Sequence, residues 1–211
     1  MLPMHSCVVK MVWARYYLPM PTDTAYQLLE RLSNLLRSEL RAAGAPADLE
    51  PVHLQALDYL ERANDYSNTP LAVAEYLGLT KGNVSQRLIA LEHGGYIRRT
   101  PDRADRRVSH LGVTAKGRAI LRAAVPPPHW RDALARLPPD SRDRLESSLG
   151  DLLRALQTAH GSRAFGECRT CRFFTTDGGA HRCGLTKEPL AAAQITKICR
   201  EHEAPPLAAS G

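Results

Sequence analysis

The stretch TPLAVAEYLGLTKGNVSQRLIALEHGGYIRRTPDRADRRVSHLGVTAK, residues 69–116, decides the fold. Thr69 is placed to cap a short helix with Pro70 at its first position, and Leu71, Ala74 and Leu77 give that helix an inner face. Gly78 ends it, because glycine accepts the left-handed backbone that a tight helix exit requires. Thr80 caps the next helix, which runs to about Glu92. Val84, Leu88 and Leu91 fall on one stripe of it, while Gly82, Asn83, Ser85, Gln86 and Ala90 fall away from that stripe. Gly94 and Gly95 break the helix. Residues 96–100 and 108–114 read as two strands joined by Pro101-Asp102-Arg103-Ala104-Asp105-Arg106-Arg107. Two helices about a glycine turn, followed by a charged hairpin, make a helix-turn-helix with a wing, an arrangement suited to duplex DNA.

Upstream, Ala25, Leu28, Leu29, Leu32, Leu35, Leu36 and Leu40 recur at the helical interval and predict a helix over 22–42, with Thr22 or Asp23 as its cap. A second helix begins near Pro51 and buries Leu54, Leu57 and Leu60. Residues 64–68 read as a polar loop. Residues 1–20 form an N-terminal extension in which Met4, Met11 and Met20 are alternative starts.

Downstream, Thr114 caps a helix over 115–124. Prolines 126–128 interrupt the chain, and a shorter helical piece covers about 129–136. Asp140 is placed to cap a last long helix over about 140–160, with Leu145, Leu149, Leu152, Leu153 and Leu156 in a regular stripe. The two leucine-rich helices, 22–42 and 140–160, carry more apolar face than a small winged domain covers. Burial against a second copy of the chain is the simplest way to satisfy both. The expected class is mainly α with a small β-wing, residues 21–162 forming a dimer unit with its DNA-binding lobe at about 50–115.

Composition agrees with this reading. The chain has 211 residues, 44% of them hydrophobic, with a formal net charge of +6. A basic excess favours a polyanionic partner. No continuous apolar run is long enough to span a bilayer, and Lys10 and Arg15 interrupt the first twenty residues, so the expected location is cytoplasmic. No glycine-rich phosphate loop, nucleophile elbow or metalloprotease helix is present, so an enzyme is not expected.

On these residues, the span from about 22 to 160 resembles the MarR family of bacterial winged-helix regulators. The loop from Pro101 to Arg107 looks like that family's wing signature, followed by Leu111 and by Val113-Thr114-Ala115-Lys116-Gly117. Leu49-Glu50-Pro51 and the turn from Ala74 to Thr80 also fit. The resemblance implies a homodimer that docks two recognition helices in successive major grooves of a near-palindromic site, often as a repressor released by a small-molecule effector, an oxidant or a metal. Gln86 departs from the family, which often has a basic residue there, so base preference does not transfer.

Side-chain chemistry assigns roles within the lobe. The amides of Asn83 and Gln86 can pair bidentately with adenine, and Arg87 can reach guanine or a phosphate. Lys81 and Ser85 suit the DNA backbone. Arg103 stands at the wing tip, positioned for a minor groove. Arg106 and Arg107 complete the basic wing, with Asp105 tethering one of them. The bland alternative is a solvated hairpin on a protein-interaction or redox adaptor.

The segment 163–203 lies outside the family pattern. Cys168, Cys171, Cys183 and Cys199 are spaced C-x2-C-x11-C-x15-C, while Cys7 stands alone. Four thiolates satisfy either a structural zinc ion or a [4Fe–4S] cluster, with free or disulfide-forming thiols as the remaining alternative. Phe173 and Phe174, directly after the first pair, are placed to wall off a cluster. His181 and His202 read as surface residues. Residues 204–211 read as a tail.

Overall fold

The computed structural model describes residues 22–103 and 105–205. The expected extension 1–20, with Cys7, and most of the tail lie outside them, as do the side chains of Thr22 and Asp23.

Helix α1 (Thr22–Gly44) is divided between two compact units, Met1–Glu39 and Leu40–Gly211. In the first unit its leucine stripe is exposed: Leu28, Leu29, Leu32 and Leu35, with Tyr26, all face solvent. In the second unit, Leu40 and Ala43 pack against the core.

That core is built by α2 (Pro51–Arg62), α3 (Pro70–Leu77), α4 (Lys81–His93), the hairpin β1 (Ile97–Pro101) and β2 (Ser109–Val113), and α5 (Ala115–Ala124). Leu54 and Leu57 of α2, Val73 of α3, Leu88 and Leu91 of α4 and Leu111 of β2 are among its buried members. The antiparallel strands pair Ile97 with Val113 and Thr100 with His110. Each of α3, α4 and α5 begins with a threonine whose hydroxyl accepts a backbone N–H: Thr69 from Ala72, Thr80 from Asn83 and Thr114 from Gly117. Glycine is required by geometry at two positions that shape the lobe, among others. Gly78 exits α3 at φ +64°, and a Cβ on Gly117 would stand 2.4 Å from the Tyr96 carbonyl oxygen.

Two local expectations are corrected. The inner face of α3 is Ala72, Val73 and Ala74, while Leu71 is exposed and Leu77 only half-buried. With this rotation of an eight-residue helix, Tyr76 packs on Tyr59 of α2, ring centroids 4.4 Å apart and planes tilted by 31°. After α6 (Pro128–Ala135), α7 (Pro139–Ala159) starts with Pro138 as its cap residue and Pro139 at the first position. Asp140 therefore lies in the first turn, favourable to the helix dipole, and is not the cap. Leu149, Leu152, Leu153 and Leu156 on α7 are exposed.

Beyond α7 the chain forms short strands. β3 (Gly166–Glu167) pairs with β7 (Ile198–Cys199), and β4 (Phe174–Asp177), β5 (Ala180–Cys183) and β6 (Pro189–Leu190) make a three-stranded sheet. This segment packs on the lobe: Ile198 joins the lobe's core and forms a parallel bridge with Ala63 at the end of α2. No helix among the described residues is long and apolar enough to cross a membrane.

Candidate nucleic-acid interface

Helix α4 divides as its stripe predicts. Val84, Leu88 and Leu91 are buried, which fixes the helix on the core, and Lys81, Asn83, Ser85 and Gln86 are exposed on the opposite side. Arg87 differs. It is half-buried, with its guanidinium 2.8 Å from the Glu50 carboxylate at the start of α2. It braces α4 against α2 as well as bordering the exposed face.

The wing is shaped by carboxylates, because bonded acid groups organise a loop that must present free arginines. Asp105 takes the Arg107 guanidinium through two parallel bonds, 3.0 and 2.9 Å, and also accepts the Arg107 backbone N–H. Those bonds hold the Asp105 carboxyl below its ordinary range. Of the two arginines considered, the tethered one is Arg107, and Arg103 and Arg106 are exposed. Deeper in the hairpin, Asp102 accepts from the Asp105 N–H at 2.8 Å and meets His110 Nε2 at 3.0 Å, and His110 Nδ1 lies 2.6 Å from Asn68 Oδ1. This chain ties the wing to the connection between α2 and α3. Sequence reading missed Asn68, Asp102 and His110, whose only local signal was polarity.

The four cysteines come together. Cys168 is buried, Cys171, Cys183 and Cys199 are half-buried, and all four line one cavity of about 100 Å³. Phe173, Phe174, Leu185 and Leu190 form its apolar wall, with Asn64 and Tyr66 from the loop after α2. Asn64 Nδ2 donates to Cys168 Sγ at 3.3 Å, and the Glu203 N–H reaches Cys171 Sγ at 3.5 Å. Cys168 donates to Cys199, which pulls the Cys199 thiol down to about 6, and that bond together with burial pushes the Cys168 thiol up. Among the described residues no three His, Cys, Asp or Glu side chains stand close enough to share one metal ion. His181 is half-buried and stacks on Phe174, and His202 bonds Thr170.

The loop that reads as merely polar is largely inaccessible: Asn64 and Ser67 are fully buried. Asn64 N–H donates to Ile198 O at 2.9 Å, and the Arg200 N–H donates to Ser67 Oγ at 2.8 Å. The Arg200 guanidinium pairs with Glu75 of α3, one of its two bonds measuring 2.8 Å, and lowers the Glu75 carboxyl. Partners more than a hundred residues away leave no local signature.

A polar helix face beside an arginine-bearing hairpin, both braced from behind, defines a winged helix-turn-helix. Residues 47–108 match the model of the MarR family. The transcriptional repressor MprA of Escherichia coli K12 is 32% identical over 143 residues, which cover 64% of this chain and 81% of that protein. Among solved structures, Streptococcus pneumoniae FabT in complex with DNA is 26% identical with a TM-score of 0.52, the match covering 65% of this chain and 98% of FabT. The transcriptional repressor CouR bound to a 23-mer DNA duplex is 29% identical with a TM-score of 0.52, covering 64% and 97%. This chain belongs to the MarR family of DNA-binding transcriptional regulators, which are not enzymes.

Proposed function

We propose that this chain is a homodimeric, sequence-specific repressor that binds a near-palindromic duplex site, and that its four cysteines hold a metal centre to which binding responds. The observation that carries the DNA reading is the division of α4: three buried apolar anchors, with Lys81, Asn83, Ser85 and Gln86 exposed and adjoining an exposed arginine wing. The likeness to proteins named as repressors and solved on DNA supports it. The exposed leucine faces of α1 and α7 support the dimer, since apolar faces of this extent are normally covered. A cleft of about 680 Å³ between α2, α3 and the end of α7, lined by Arg62, Tyr76, Gln157 and Phe165 among others, has the size to admit a small effector.

Gel-shift titration across salt tests the assignment. Arg103→Ala is expected to weaken binding to all duplexes and to lower the log–log salt slope by about one. Gln86→Ala is expected to relax base preference at one position by about 1–3 kcal/mol while leaving the salt slope in place. If neither variant changes binding, these faces do not read DNA and the adaptor reading takes over.

A further inference from the structure

The cysteine pocket is built against the helix-turn-helix, not beside it. Its Asn64 belongs to the α2–α3 corner, and that corner is bonded to the segment through the Asn64 N–H, Ser67 Oγ and Glu75. Only Cys168, Leu190 and Ile198 of residues 163–203 are buried apolar side chains among the described residues, so the segment's own packing is thin.

The donor set is four sulfurs within an apolar wall. A zinc ion would hold its sulfurs about 2.3 Å away and so roughly 3.8 Å from one another. Here Cys168 and Cys199 lie within hydrogen-bond reach of each other, but no three of the thiols approach one point, and all four line an apolar-walled cavity of about 100 Å³. That cavity has room for an occupant with volume, in which each cysteine would move to take a different iron. We propose that Cys168, Cys171, Cys183 and Cys199 bind a [4Fe–4S] cluster, and that the bound cluster pins the corner from Asn64 to Glu75 in the arrangement from which α4 engages DNA. Only the last clause rests on the chain being a DNA-binding regulator.

The route is short. Metal binding contributes folding energy to a segment that lacks a core. With the cluster gone, the segment loosens, and the buried Asn64 and Ser67 lose the Ile198 carbonyl, the Cys168 sulfur and the Arg200 N–H. Buried polar groups without partners drive local opening. Thr69, the cap of α3, lies two residues beyond Ser67, so the opening reaches the helix-turn-helix at its first residue.

The test uses full-length protein purified without air. About four iron and four acid-labile sulfide per chain, with a broad visible absorption band, are expected, and both should be lost in Cys183→Ser. Hydrogen exchange over residues 63–77 should run at least about tenfold faster in protein stripped by oxidant and chelator, an opening cost of about 1.4 kcal/mol. DNA affinity should fall by a similar factor. Arg200→Ala guards against a merely misfolded cysteine variant: it should keep the cluster's absorption yet speed exchange at Glu75 and weaken DNA binding. Colourless protein with one zinc per chain overturns the cluster. Unchanged exchange at 63–77 on stripping overturns the pinning. If iron content and exchange behave as expected but neither form binds duplex DNA, the site and the pinning stand and the regulator reading falls.

Discussion

Between residues 49 and 124 the chain buries one continuous apolar core, whereas residues 163–203 bury only Cys168, Leu190 and Ile198 among the described residues. The lobe is held by non-directional burial summed over many side chains. The cysteine segment is held by strands of two to four residues, by ion pairs such as Arg163–Glu201 at 2.5 Å, and by bonds to the α2–α3 corner. Two regions of one compact unit thus depend on different physics. The first rests mainly on its own apolar packing, and the second depends on its neighbour.

The largest effect expected from this contrast is in the lobe. Leu57 is fully buried, and Leu57→Ala should cost about 2–5 kcal/mol in urea unfolding, through lost transfer energy and the cavity left behind. A cost below about 1 kcal/mol would show that the core yields more readily than its burial implies. Next comes the junction. Asn64→Ala removes the donor to Cys168 Sγ and the acceptor of the Tyr66 N–H, and should cost about 1–3 kcal/mol. Limited proteolysis should then cut within 163–203 while the lobe stays intact. Continued protection would mean that the segment supports itself.

A smaller effect belongs to the helix-turn-helix exit. Gly78→Ala forces a Cβ into the left-handed region at φ +64° and should cost about 1 kcal/mol, read by the same unfolding curves. The smallest concerns pH. Arg200 holds the Glu75 carboxyl below its ordinary value, so the pair stabilises the fold above the unfolded carboxyl's pKa and loses that contribution as pH falls through the lowered value. The stability difference between wild type and Glu75→Gln should be present at neutral pH, begin to shrink below about pH 4.3, and vanish only once pH has fallen below the lowered folded value. A difference that persists in acid would assign the effect to packing instead of charge.

Much of the lobe was legible because its signals are local. The threonine caps at 69, 80 and 114, the exit at Gly78 and the stripe Val84, Leu88, Leu91 each act within a few residues of where they are read. The phase of α3 was misread: Ala72, Val73 and Ala74 are buried, and Tyr76 packs on Tyr59 of another helix, a contact that local periodicity does not register. The cap of α7 was assigned two residues too late, because Pro138 and Pro139 already bring the chain into the helix. In the site, the exposure of Asn83 and Gln86 followed from periodicity, while the hold of Glu50 on Arg87 did not.

By itself, the sequence determined the helix order, the turn and the wing, because periodicity and capping are properties of short stretches. Only the tertiary structure decided that the cysteines share one cavity and that this cavity is built onto the corner of the helix-turn-helix. The reason is physical: Asn64 meets Cys168 and Ser67 meets Arg200 across more than a hundred residues, and pairings at that separation are set by which surfaces are left to bury once the local elements have formed.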